Sequence, residues 1–184
     1  MSATSTAVNT WTIDKSHSLA EFSVRHMMVS TTRGQFTSVS GTLSIDEANL
    51  ANSSVDAVID VTSITTRDEK RDEHLRSADF FDIANYPTIT FKSTSVKVKN
   101  DTDLVVTGDL TIRGVTRPVE LKTEFNGFNT TPWGGRVVGF SADTEISRKE
   151  FGLEWNVALE SGGVLVGDKV KIHLEVEAGA AQAQ

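Results

Sequence analysis

The chain has 184 residues, 38% of them hydrophobic and 23% charged, which suits one domain with a substantial core and excludes a disordered chain. With 18 basic and 25 acidic residues its net charge is −7, which disfavours binding to nucleic acid or to an anionic membrane surface. Cysteine is absent, which excludes disulfides, thiolate chemistry and cysteine-ligated metals.

The N-terminal segment, MSATSTAVNTW, lacks the basic start and the apolar stretch of a signal peptide. No apolar run in the sequence approaches the roughly 20 residues of a membrane span. We therefore expect a cytoplasmic protein without stable membrane insertion. Residues 1–9 and 178–184 are small and polar, and we expect them to be loose tails on a single domain that covers 1–184.

Most of the chain alternates apolar and polar residues, as strands with one buried face do. This alternation recurs in about eight or nine segments, the clearest being 10–13, 19–26, 39–45, 55–61, 89–98, 104–112, 119–125, 138–146 and 170–176. Short strands joined by tight turns predict an antiparallel sandwich or barrel. The apolar rows also contain small residues: Ala20, Gly41, Ala57, Gly108 and Ala142. Small residues can leave room for a ligand or accommodate a large neighbour, so a cavity and a filled barrel stay open alternatives.

The alternation stops between Thr65 and Phe91. Thr66 is followed three residues later by Glu69, a capping-box spacing that predicts the start of a helix. Asp72 and Arg76 are one turn apart, the spacing of a helical ion pair. Apolar residues are scarce until Leu75, and Phe80 and Phe81 follow. The sequence therefore predicts a short, solvated helix, anchored by two aromatic rings, that covers one end of the barrel.

Sequence motifs for catalysis or metal binding are weak. The four histidines lack a ligand spacing such as H-x-x-x-H, and neither G-x-x-x-x-G-K nor G-x-G-x-x-G occurs. The segment 139–143 falls one residue short of a nucleophile elbow and lies within a predicted strand. We therefore expect no metal, no cofactor and no catalytic residues.

Five stretches together resemble the YceI-like family of polyisoprenoid-binding proteins: WTIDKSHSLAEFSVRH, GQFTSVSGTLSID, TTRDEKRDEHLRSADFFDIANYPTITF, VTGDLTIRGVTRPVEL and FSADTEISRKEFGL. The resemblance covers about Trp11 to Val176. Its most specific parts are RDEHLRSADFFD followed by YPTITF, and then GDLTIRGVTRPV.

The resemblance implies an all-β fold, an extended, eight-stranded antiparallel barrel of lipocalin-like form with a short helix near its mouth. It also implies a bound isoprenoid lipid, such as a polyprenyl pyrophosphate or an isoprenoid quinone, held in an internal hydrophobic tunnel for storage or transport. It further implies a homodimer, since relatives often form one, and many relatives are exported. The alternatives are an enzyme that acts on such lipids and a stress-related interaction protein that uses the barrel as a scaffold.

For such a tunnel the chain offers two groups of lining candidates, although each phenylalanine can equally fill a core. Strand positions supply wall candidates: Phe22, Val24, Ile89, Phe91, Phe140 and Ala142. Segments at the ends of the barrel supply the others: Phe36, Phe80, Phe81, Phe151, Leu153 and Trp155.

Polar candidates for the lipid head group have simpler structural interpretations. His26 ends an apolar row, where a histidine bonded to a backbone group is favoured over a ligand contact. Arg71 and His74 lie on the predicted helix, where a solvated face is favoured over a head-group site. Arg148 precedes Phe151, and we favour an ion pair with a carboxylate at one end of the barrel over a head-group role.

Overall fold

The computed structural model describes residues 8–181, in which eleven β-strands and one α-helix are found. The strands are β1 (Asn9–Ile13), β2 (Leu19–His26), β3 (Ser30–Phe36), β4 (Val39–Ile45), β5 (Ser54–Asp60), β6 (Ile64–Thr65), β7 (Thr88–Val98), β8 (Asp103–Ile112), β9 (Val115–Thr130), β10 (Arg136–Ser147) and β11 (Val166–Ala180). The helix, α1, spans Glu69–Arg76, and short 3₁₀ turns span Leu50–Asn52, Val61–Ser63 and Arg148–Phe151.

These strands form a closed antiparallel barrel. β1 and β2 lie end to end along β11, β4 and β3 lie beside them, and β5 and β6 lie beside β4 and β3. Each of these pairs acts as one interrupted strand, and β7 to β11 complete a ring of eight. β11 closes the ring, since it pairs with β10 on one side and with β1 and β2 on the other. The predicted lipocalin-like, eight-stranded barrel with a short helix is confirmed.

The alternation in the sequence becomes an inner and an outer face in the barrel. In β8, Leu104, Val106, Gly108, Leu110 and Ile112 are buried, whereas the residues that alternate with them are half-buried or exposed. The same alternation in the neighbouring strands gives the barrel a continuous apolar interior. Burial of this interior is the main stabilising contribution to the fold.

The N-cap of helix α1 lies two residues later in the chain than predicted. The N-cap is Asp68, whose side chain accepts a hydrogen bond from the Arg71 backbone N–H at 3.1 Å. Thr66 instead donates both its backbone N–H (2.8 Å) and its hydroxyl (2.6 Å) to Asp72 Oδ1, which is buried.

The predicted Asp72–Arg76 pair is also wrong, because Arg76 donates to the Ile64 carbonyl at 3.0 Å. Arg76 thus fastens the helix to β6, and Asp72 fastens it to Thr66, the residue that follows β6.

The barrel end beneath the helix, which we call the helical end, is filled. Phe36, Val61, Ile64, Phe80 and Phe151 are all buried there and belong to one hydrophobic core. The predicted aromatic anchor is therefore present, but it forms part of a packed plug. A guest molecule cannot enter between helix and barrel without displacing these side chains.

The predicted tails are too long at both ends of the chain. Asn9 begins β1, and β11 continues to Ala180, where it pairs with Trp11. Ala178 is fully buried, so it is part of the core and not of a loose tail. Residues 1–7 and 182–184 of the predicted tails lie outside the described residues.

Candidate functional site

A cavity of about 200 Å³ occupies the middle of the barrel. Its 27 lining residues come from β1, β2, β4, β5 and β7 to β11, and from the loop between β4 and β5. Of these, 23 are apolar, and the other four carry small hydroxyl groups: Ser53, Ser54, Thr123 and Thr144. Such a wall can contact a hydrocarbon chain over its whole length, but offers no counter-charge to an ionised group.

Four of the predicted lining residues face this cavity. Ile89 and Phe91 reach it from β7, and Phe140 and Ala142 reach it from β10. Ala142 and the small Ala57 of β5 stand among larger wall residues and leave part of the space open. Whether these residues contact a ligand stays a prediction.

The other predicted lining residues pack elsewhere. Phe22, Phe36 and Phe81 form a row of rings towards the helical end, with centroids 5.5 and 5.7 Å apart. Phe80 packs against Trp155 at 5.3 Å, and Phe151 and Leu153 are buried in the same core. Val24 lies on β2 opposite Val170 of β11. These aromatic rings pack in the core outside the cavity. The cavity wall is therefore mainly aliphatic, whereas mainly phenylalanines were expected from the sequence.

The polar head-group candidates are also separate from the cavity lining. Arg71 donates to the hydroxyl (2.7 Å) and carbonyl (2.8 Å) of Thr66 and so belongs to the helix attachment. His74 lies edge-on to Phe80 and Trp155, with its Nε2 2.8 Å from Asp79. His26 is half-buried at the end of β2. None of these described residues lines the cavity.

Arg148 has a structural role that differs from the expected ion pair. Its side chain is 5% exposed and donates to four backbone carbonyls, those of Leu153 (2.7 Å), Gly167 (2.8 Å), Trp155 (3.0 Å) and Val166 (3.2 Å). Burial lowers the pKa of this guanidinium from its ordinary value. The arginine thus holds the long β10–β11 connection against β11, and carbonyl dipoles replace the predicted carboxylate.

The barrel end opposite the helix is filled on one side only. There Trp11 is fully buried against Phe128, with ring centroids 5.4 Å apart. The guanidinium of Arg136 lies 5.3 Å from both rings and is held by a salt bridge of 2.8 Å to Glu47. These contacts close the β1–β10 side of this end.

On the other side of this end the cavity reaches the surface. Ser54 is exposed, Ser53, Leu50 and Val96 are half-buried, and all four line the cavity. We call this set the β4–β5 opening. Sequence reasoning missed it because Leu50 to Ser54 lie between the predicted strands 39–45 and 55–61 and carry no alternation of their own. The one available signal was Leu50, an apolar residue within a largely polar loop.

Asp46 fixes the loop that carries the opening. It is buried and accepts hydrogen bonds from the Asn52 side chain (2.9 Å) and from the backbone N–H groups of Ala48 and Asn49 (both 3.0 Å). The Asn52 hydrogen bond is the main reason that the pKa of Asp46 lies below its ordinary value. The opening therefore has a preformed rim.

Comparison with known proteins gives a consistent result. A family model described as "YceI-like domain" matches residues 11–178. The chain is 43% identical to the protein YceI of Escherichia coli over 155 aligned residues. The alignment covers 83% of this chain and 81% of the relative. A YceI protein of Campylobacter jejuni matches the fold with a TM-score of 0.71 at 27% identity, covering 86% of this chain and 90% of that one.

A third match is a solved polyisoprenoid-binding domain from Saccharophagus degradans. It gives a TM-score of 0.72 and covers 95% of this chain and all of that domain, at 17% sequence identity. At that identity the match concerns the fold alone. Within the described residues, the structure contains no helix long and apolar enough to cross a membrane.

Proposed function

The chain belongs to the YceI-like family, and from this membership and its apolar cavity we propose that it binds the hydrocarbon chain of an isoprenoid lipid inside the barrel. The polyisoprenoid-binding domain with the same fold supports the choice of lipid class. The observation that carries the proposal is the wall, whose 23 apolar residues surround a central space.

The length and chemistry of the cavity suit an extended chain. Its wall follows β8 from Leu104 to Ile112, a distance of about 26 Å along the strand at roughly 3.3 Å per residue. Each CH₂ group that leaves water contributes about 0.8 kcal/mol. An isoprenoid chain can therefore bind tightly here by burial alone, because it carries no polar group that the wall would have to satisfy.

The head group is proposed to stay at the β4–β5 opening. Burying a charged group in an apolar wall costs far more than a hydroxyl residue can return, so a pyrophosphate has to remain in water. Ser53 and Ser54 at the opening can donate hydrogen bonds to a phosphate or to a quinone carbonyl. This arrangement suits a protein that stores or transports a polyprenyl pyrophosphate or an isoprenoid quinone.

A binding role rather than catalysis is part of the proposal. The cavity lining contains hydroxyl groups as its polar groups, whereas general acid–base chemistry needs titratable side chains near the substrate. Homodimer formation and a cytoplasmic location stay predictions. Light scattering of the purified protein and fractionation of cells that express the whole chain test them.

Native mass spectrometry of the purified protein, before and after organic extraction, tests the proposal. We expect an added mass that disappears on extraction and corresponds to an isoprenoid lipid in the extract. Extracted protein should then take up a polyprenyl pyrophosphate or a quinone, but not the head group alone. Protein that purifies without lipid and takes up neither compound would contradict the proposal, and turnover of the added lipid would favour an enzyme.

A further inference from the structure

Outside the barrel, three potential metal ligands meet where β1 ends. Asp14 and His17 lie in the turn between β1 and β2, and Glu177 lies on β11. His17 Nδ1, one carboxylate oxygen of Asp14 and one of Glu177 all lie within 4.8 Å of one another. The imidazole is 62% exposed and the two carboxylates are partly exposed, so ions from solution can reach the cluster.

The distances between the ligand atoms suit a cation with tetrahedral coordination. His17 Nδ1 lies 3.0 Å from Asp14 Oδ2 and 3.8 Å from Glu177 Oε1. Two ligand atoms bound to zinc at about 2.0–2.1 Å and at the tetrahedral angle are about 3.4 Å apart. The observed distances lie on either side of that value, so small side-chain rotations complete the geometry, and water can take the fourth position.

His173 provides an instructive contrast, since it too contacts two carboxylates. Its Nδ1 lies 2.7 Å from Asp143, and its Nε2 lies 2.8 Å from Glu175. Each nitrogen thus has its own carboxylate, an arrangement that favours a doubly protonated ring. At His17 both carboxylates converge on the same nitrogen, where a cation can replace one proton and contact all three groups.

The backbone holds the ligand residues in place. The Asp14 N–H donates to the Glu177 carbonyl at 2.8 Å. The Ser18 hydroxyl accepts from the Glu177 N–H at 3.0 Å and lies 3.2 Å from the Glu177 carbonyl. Asp14 Oδ1 accepts from the N–H (2.8 Å) and hydroxyl (2.6 Å) of Ser16, which leaves Oδ2 directed at His17. Such prior ordering lowers the cost of binding.

We propose that Asp14, His17 and Glu177 form a surface site for a borderline divalent cation such as Zn²⁺. One imidazole and two carboxylates match the ligand preferences of zinc, and the carboxylates neutralise its charge. β11 changes partners here, since it pairs with β2 up to Glu175 and with β1 from Ala178 onwards. A cation held by all three residues therefore clamps the barrel where its first strand is interrupted.

Titration of the purified protein with ZnCl₂ at about pH 8, where protons compete less, tests the site. Calorimetry should show one saturable site, and the folding equilibrium constant should rise about 100-fold at Zn²⁺ concentrations 100 times the dissociation constant. In NMR spectra the ring resonances of His17 should shift, and those of His173 should not.

Two variants make the assignment specific. H17Q should lose the saturable binding and the stabilisation by Zn²⁺, whereas H173Q, which removes the histidine that contacts Asp143 and Glu175, should keep both. MgCl₂ should have little effect, because Mg²⁺ prefers six oxygen ligands. Binding weaker than about 1 mM, or unchanged binding in H17Q, would overturn the proposal. These measurements do not depend on lipid, so their failure leaves the proposed lipid binding unaffected.

Discussion

The ring of Phe91 on β7 lies directly over Gly108 on β8. A β-carbon at residue 108 would stand 2.5 Å from Cζ of that ring and 2.6 Å from the Lys92 carbonyl oxygen. The absence of a side chain at Gly108 therefore lets Phe91 lie flat against the wall. One wall residue of the cavity is positioned by a glycine on the neighbouring strand.

We expect Gly108→Ala to lower the free energy of unfolding by about 1–3 kcal/mol, the usual cost of overpacking a core. Phe91 can rotate away from an added methyl group, but the Lys92 carbonyl belongs to the β7–β8 ladder and cannot. Urea denaturation measures the change. The matched control is Gly179→Ala on β11, where an added β-carbon meets nothing within 4 Å and stability should be unchanged or slightly higher. Equal losses in both variants would contradict this explanation.

Ala142→Trp should reduce lipid uptake at least tenfold, or about 1.4 kcal/mol, because the indole occupies the space beside Phe140. The expected loss of stability is modest, about 1–3 kcal/mol, since part of the new side chain enters a cavity. Uptake is measured by native mass spectrometry of extracted and reloaded protein. Val105→Trp is the control: it lies between two inward residues of β8, faces outwards, and should bind lipid normally.

Asp72→Ala tests whether the helix controls access to the cavity. The substitution removes the acceptor of the Thr66 N–H and hydroxyl, both of which are buried, at a cost of about 1–3 kcal/mol. Since the described residues of α1 do not line the cavity, lipid affinity should stay the same. Hydrogen exchange of 66–76 reports the loosening, and the lipid dissociation constant is measured in parallel. A large change in affinity would mean that the lipid enters at the helical end.

His173 should make stability depend on pH. Its hydrogen bond to Asp143 is the main reason that its pKa is raised above the ordinary value, and Glu175 adds to the effect. Because the folded-state pKa is the higher one, the contribution is fully present below about pH 6.5 and is lost as the pH rises through the folded-state pKa.

The difference in unfolding free energy between wild type and His173→Gln should therefore be larger at pH 6 than at pH 9. Denaturation curves at the two pH values measure it. Glu21 lies opposite His173 on β2, so E21Q serves as a control for the general charge of this face. A difference that grows with pH would show that the ring is neutral in the folded protein.

Strand positions within the barrel were largely predictable. The period-two alternation of residues 104–112 identified which side chains of β8 face inwards, and the structure agrees. The helix was predictable too, because residues 69–76 lack that alternation. Its cap was not, since Asp68 and Thr66 are both good capping residues and Thr66 is engaged by Asp72, a contact that depends on how the helix docks.

The cavity was less predictable than the wall. Ala142 and Gly108 are both small residues at inward positions, yet Ala142 borders open space and Gly108 is covered by Phe91. The alternation along a strand predicts which way a side chain points. It does not predict how far the facing side chains reach across the barrel, and that reach decides whether the interior is hollow or filled.

The amino-acid sequence by itself determined the alternation, the interruption for one helix and the five stretches that mark the family, because these are local patterns along the chain. Only the tertiary structure decided that the helical end is filled, that the cavity reaches the surface at the β4–β5 opening, and that Glu177 meets His17. The physical reason is that these features depend on contacts between residues far apart in the chain, and such contacts exist only once the barrel has closed.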